Sequence, residues 1–149
     1  MEPVIEQAGI EDLTQLLSLH NLVNPDDHWD LERMNLIYDY DLPILTLKVA
    51  GEICGVLIYL VCLEEVRLIN LTIHPDHQRL GYARKLFYTM LGAARGNGWR
   101  YILLDVRTRN INAINFYTGL GCNILCTRRG FYTSKQSAED AYLMQLDLA

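Results

Sequence analysis

The sequence predicts a mixed α/β fold, one half an antiparallel meander and the other a strand–helix crossover. Three observations predict it. Apolar residues switch repeatedly between helical and strand spacing along the chain. The runs "PILTLKVA", "ICGVLIYLVC" and "VRLINLTI" follow one another with only short breaks, as a meander does. After them, "WRYILLDV" and "CNILCTR" are each preceded by a helical stretch, as in crossover connections. The 149 residues suit one domain, 1–149, large enough to bury a real core.

Each element has a local reason. "PVIEQ" near the start reads as a short first strand, and Ile10, Leu13, Leu16, Leu17 and His20 give the first helix its stripe. Pro25 closes that helix, and Asp30 caps a second, "LERMNLIYDY", which ends before Pro43. Gly51-Glu52 and Glu64-Glu65 supply the turns of the meander. Ala83, Leu86, Phe87, Met90, Leu91 and Ala94 then recur at helical spacing until Gly96 and Gly98. "WRYILLDV" is apolar on both faces, which suits a central strand. Asn110 or Asn112 caps a short helix bearing Ala113, Phe116, Tyr117 and Leu120. "CNILCTR" and "AYLMQLDL" are the last strands, with "RGFYTSKQSAED" expected as a long polar connection.

Composition narrows the function classes. A formal charge of −5 with no broadly basic face argues against nucleic acid as partner. The four cysteines form no C-x-x-C pair and the four histidines show no zinc spacing, so no metal is expected. No apolar run has transmembrane length and the N-terminus lacks a signal-peptide core; a cytoplasmic protein without membrane contact is expected. Oligomeric state is not legible.

The stretch "LTIHPDHQRLGYARK" ends a strand and opens a helix through one glycine. A helix start leaves backbone N–H groups without partners, and its dipole adds positive potential. Gly81 and Ala83 keep side chains out of the way, while Arg79, Arg84 and Lys85 add charge. Such a turn is either an anion cradle or a plain connection.

Gln78-Arg79-Leu80-Gly81-Tyr82-Ala83 matches the Gln/Arg-x-x-Gly-x-Gly/Ala pattern of the GNAT acyltransferases, which the chain resembles over nearly its whole length. The later "LDVRTRNINAINFYTGLGC" is similar to that family's next strand and helix. The resemblance implies a mixed sheet of about seven strands with about four helices, strands 4 and 5 splaying into a V. It implies acetyl-CoA in that V, its pantetheine bonded to the backbone of Leu71, Thr72 and Ile73. The amides from Arg79 to Arg84, in the donor-binding loop that Gln78 opens, would cradle the pyrophosphate, and Asn110 would contact the pantetheine or cap the helix beside it.

The resemblance also implies direct attack by an amine on the thioester, with Tyr117 as the acid for the departing sulfur. Within the superfamily the chain is most similar to the ribosomal-protein alanine N-terminal acetyltransferases, where a glutamate is general base. Asp105 stands at that position, twelve residues before Tyr117, and is shorter by one methylene, about 1.5 Å. Asp105 is thus read as the base or as a structural acceptor for backbone amides or Arg107, with His74 in reserve. Trp29 and Tyr132 are the expected acceptor-side residues, Tyr132 from a final hairpin loop. Three departures bear on the acceptor: no proline precedes Trp29, Cys122 replaces an aromatic, and Thr133 replaces a proline. Three readings stay open: a protein N-terminal acetyltransferase, a small-amine acetyltransferase, and a CoA-binding module without turnover.

Overall fold

The computed structural model describes residues 2–133 and 138–148. Strand β1 (Val4–Gln7) leads through a 3-10 turn at Ile10–Asp12 into α1 (Leu13–Val23) and α2 (Leu31–Asp39). Strands β2 (Ile44–Val49), β3 (Glu52–Cys62) and β4 (Glu65–Ile73) follow, then a 3-10 turn at Pro75–His77 and α3 (Tyr82–Gly96). The chain ends with β5 (Tyr101–Arg107), α4 (Ile111–Gly119), β6 (Asn123–Thr133) and β7 (Ala138–Asp147). The order of elements is the expected one.

Two boundaries differ from expectation. The first helix starts at Leu13, because the Asp12 carboxylate accepts from the Gly9 N–H at 2.9 Å and holds a tighter turn before it. The last strands run well into the segment expected as a polar connection. Tyr132↔Glu139 and Thr133↔Ala138 are strand pairs, reached after register irregularities between Arg128 and Tyr132. Polar side chains do not prevent pairing at a sheet edge, where each outward position meets water.

The chain makes two compact units, residues 1–60 with 69–93 and residues 61–68 with 94–149. The first pairs its strands in the order β1-β2-β3-β4. On one side of it, Leu13, Leu16 and Leu19 of α1 and Met34 of α2 bury against Ile44, Val56 and Ile58. Leu86, Phe87 and Met90 of α3 are also fully buried. Helix α3 passes close over β3 at Gly55, where a Cβ would stand 2.7 Å from Ile73 Cδ1 and 3.3 Å from Leu86 Cδ1.

The second unit pairs β4-β5-β7-β6. Its β4–β5 ladder is parallel and spans three pairs, Glu65↔Tyr101 to Arg67↔Leu103. The pairing stops there, although β4 runs on to Ile73 and β5 to Arg107. Strand β5 is central, antiparallel to β7 from Tyr101↔Asp147 to Arg107↔Ala141. Among the described residues no helix is long and apolar enough to cross a membrane.

Candidate active site

The donor-side residues lie in the first unit, at the end of β4. Thr72 is buried, while the Ile73 carbonyl accepts from Gln78 Nε2 at 3.1 Å. Gln78 therefore braces the turn with its own side chain. His74 caps the 3-10 turn, its Nδ1 accepting from the Asp76 N–H at 3.1 Å. That bond uses the nitrogen lone pair a general base would need, leaving only Nε2.

Past Gln78 the backbone turns sharply. Arg79 has φ 64° and Gly81 φ 82°, left-handed values that cost little only for glycine. A Cβ on Gly81 would meet nothing within 4 Å, so the space above the turn is open. Tyr82, Ala83 and Arg84 form the first turn of α3, whose N–H groups have no carbonyl within the helix. Arg84 Nη1 donates to the Tyr88 hydroxyl at 3.1 Å, and Leu80 is exposed. An open, glycine-led helix start with two arginines suits a phosphate-bearing ligand.

The expected chemistry residues lie in the second unit. Arg67 and Leu103 are register partners in the parallel ladder, so Asp105, two residues on, shares their face. Arg67 Nη2 donates to Asp105 Oδ2 at 2.7 Å, and Arg128 Nε stands 3.4 Å from Oδ1. The partner expected from sequence, Arg107, is engaged elsewhere: its Nε donates to Glu139 Oε2 at 2.7 Å. Arg109 Nη2 reaches the other Glu139 oxygen at 2.8 Å. Antiparallel β7 carries Glu139 beyond the end of β5, within reach of Arg107 and Arg109, and leaves Asp105 to β4 and β6.

Asp105 Oδ1 is buried and accepts no hydrogen bond among the described residues. Oδ2 is thus anchored by Arg67, while Oδ1 is buried beside the Arg128 guanidinium without accepting a hydrogen bond. Tyr132 is a β6 residue rather than a loop residue, paired with Glu139, and the Arg107 guanidinium lies 4.1 Å from its ring centroid. Irregular pairing just before Tyr132 hides the strand from a pattern reading.

Tyr117 packs edge-on to Phe116 at 5.2 Å, and its carbonyl accepts from the Cys122 N–H at 3.0 Å. Desolvation, with smaller contributions from Cys122 and Tyr132, holds its phenol above the ordinary value. It is therefore neutral at physiological pH, and the same burial makes it a weaker acid than a free phenol. Burial likewise raises the Cys122 thiol to about 11, so it is no nucleophile. Asn110 caps α4 by accepting from the Ala113 N–H at 3.2 Å.

Trp29, in the first unit, is almost fully buried, stacked on His20 with centroids 4.1 Å apart, and has the Arg33 guanidinium 5.1 Å from its ring. It borders an open cavity of about 500 Å³ lined also by Leu36, Tyr40, Leu60 and Ile69. Sequence reading missed Arg67, Glu139 and His20 as organising groups. A charged residue inside the strand "VRLINLTI" was the available signal, since a strand arginine needs a partner. Among the described residues no group of three or more His, Cys, Asp or Glu could hold a metal ion.

Residues 11–122 match the model of the acetyltransferase (GNAT) family. The ribosomal protein bS18-alanine N-acetyltransferase of Escherichia coli is 33% identical over 99 residues, 66% of this chain and 67% of that one. A crystal structure of that Escherichia coli enzyme superposes with a TM-score of 0.86 at 26% identity, covering 99% of this chain and 95% of the other. A Salmonella typhimurium structure solved with its cofactor acetyl-CoA shares the fold, with TM-score 0.81 at 19% identity, covering 100% and 95%.

Proposed function

The chain belongs to the GNAT acetyltransferase family, and on that premise we propose that it moves acetyl from acetyl-CoA to a protein N-terminal α-amine, residues 1–149 acting as one domain. The observation that carries the chemistry is the Asp105 carboxylate, with Oδ2 held by Arg67 and Oδ1 accepting no hydrogen bond, though Arg128 Nε stands 3.4 Å from it. The Asp105 carboxylate accepts the proton of the incoming ammonium, directly or through one water. The amine nitrogen attacks the thioester carbonyl; the new C–N bond forms as the C–S bond breaks. Tyr117, a neutral phenol, gives its proton to the departing thiolate.

On the donor side, the open turn at Gly81 and the first N–H groups of α3 receive the pyrophosphate. The backbone of Leu71–Ile73 and Asn110 are the proposed pantetheine partners. Resemblance to the Escherichia coli enzyme supports an N-terminal alanine as acceptor, and Trp29 and Tyr132 are the proposed acceptor-side residues. A second reading, a CoA-binding module without turnover, is favoured by the two guanidiniums that engage Asp105.

Thiol release from acetyl-CoA with an N-terminal alanine peptide and with spermidine tests the proposal. Turnover with the peptide alone is expected. Turnover with spermidine alone would make it a small-amine enzyme, and acetyl-CoA binding without turnover would leave the second reading.

A further inference from the structure

In the first unit a polar chain of fixed direction runs from α1 to β4. Thr72 Oγ1 donates to Asn70 Oδ1 at 2.6 Å, which leaves the Asn70 amide nitrogen to face His20 Nδ1 at 2.7 Å. That nitrogen can only donate, so His20 Nδ1 is the acceptor and the ring proton sits on Nε2. Nε2 in turn donates to the Asp27 carbonyl at 2.6 Å. Asn24 Nδ2 closes the circuit, donating to Thr72 Oγ1 at 3.1 Å and to the His20 carbonyl at 3.0 Å. Only the neutral Nε2–H tautomer satisfies every member.

The same ring holds the next segment. Trp29 stacks on it, and Asn21 fixes the Trp29 backbone from both sides, accepting from its N–H at 2.8 Å and donating to its carbonyl at 2.9 Å. The His20–Asn70 and Asn70–Thr72 bonds are buried, away from competing solvent, while those to Asp27, Asn24 and Trp29 are partly buried. We propose that His20 is a positioning residue that clasps the Asn24–Trp29 connection to β4, so that this connection and the strand edge at Leu71–Ile73 move as one body. Its bearing on acetyl transfer rests on the function proposed above, in which that edge meets the donor and Trp29 borders the acceptor.

The clasp is pH-sensitive by construction. A proton on Nδ1 would set two donors head to head at Asn70. The groups facing the ring are Asp27, whose Oδ2 lies 3.8 Å from Nε2, Arg33 of α2 beyond Trp29, and the neutral Asn70 and Thr72 of β4. Burial, the largest influence, lowers the His20 titration below its ordinary value, against the opposing Asp27 contacts.

Hydrogen exchange on the full chain tests the clasp without any need for turnover. His20→Gln keeps a donor near the Nε2 position and loses the acceptor for Asn70. Exchange corrected for intrinsic rates is expected to quicken about tenfold in both 21–29 and 70–74, with α3 unchanged. Quickening in one segment alone, or uniformly along the chain, would overturn the proposal. Asn70→Asp places a carboxylate opposite Nδ1 and favours the imidazolium. Protection of both segments is then expected to be greater at pH 5.5 than at pH 7.5, the reverse of wild type; the wild-type order retained would overturn it. Acetyl-CoA calorimetry on wild type separates the two proposals. No binding with coupled exchange intact would overturn the function alone, and binding with uncoupled exchange would overturn the clasp alone.

Discussion

Arg67 Nη2 lies 2.7 Å from Asp105 Oδ2, one strand reaching across a three-pair parallel ladder to hold the carboxylate of its neighbour. Both groups are largely shielded from solvent, Asp105 at 12% and Arg67 at 31% side-chain exposure. The pair leaves Oδ1 as the oxygen that Arg67 does not hold, with Arg128 Nε 3.4 Å from it. Most of the chemistry expected of this chain depends on that division.

Asp105→Asn keeps the shape and removes the base. Turnover is expected to fall by about 10² to 10⁴, with acetyl-CoA affinity by calorimetry unchanged. Arg67→Lys keeps the charge but loses the planar fork, so a smaller fall of about tenfold is expected. If Asp105→Asn turns over at the wild-type rate, proton removal belongs to another group.

Tyr117→Phe retains the edge-on contact with Phe116 and deletes only the hydroxyl. With acetyl-CoA as donor, steady-state turnover is expected to drop about a hundredfold. An acetyl thioester of an acidic aryl thiol, which leaves without protonation, should lose far less. Equal losses with both donors would argue that the phenol is only a packing group.

Gly81→Glu places a side chain at φ 82° and adds negative charge to the open helix start. Acetyl-CoA binding is expected to weaken by at least about tenfold from charge and backbone strain together. Gly81→Ala carries the strain without the charge and should sit between the two. Calorimetry on the three proteins gives the order.

Stability should depend on pH through His20. Its titration in the folded chain lies below the unfolded value of about 6.5, so the unfolded state takes up the proton first as pH falls. The contribution is therefore fully present above about pH 6.5 and lost as pH drops through the lower folded value. The melting temperature of wild type is expected to decline more between pH 7 and pH 5 than that of His20→Gln. Parallel curves would show that His20 does not carry the dependence.

Gly55→Val would drive methyl groups into Ile73 Cδ1 and Leu86 Cδ1, where even a Cβ is crowded. A loss of about 1–3 kcal/mol is expected from chemical denaturation. Because Ile73 ends the strand that feeds the glycine turn, acetyl-CoA affinity should fall as well. Gly92→Val, with nothing within 4 Å and no positive φ, tests whether the effect is crowding rather than loss of any glycine.

The order of elements, the caps at Asp30 and Asn110 and the glycine turn at Gly81 were legible in the sequence, because each is set by near neighbours. Helical spacing, a capping side chain and a positive-φ residue act within a few positions of one another. The last hairpin was not legible past Arg128, since its pairing resumes only after a register irregularity that leaves no periodic trace. The partners of Asp105, the Glu139 pairings and the His20–Asn70 contact were decided by tertiary structure alone. These contacts join residues 38, 32 and 50 positions apart, and which charge meets which depends on strand register rather than local pattern. Arg107 looked the natural partner of Asp105 from two residues away; the register of β4 and β7 gave that place to Arg67 and sent Arg107 to Glu139.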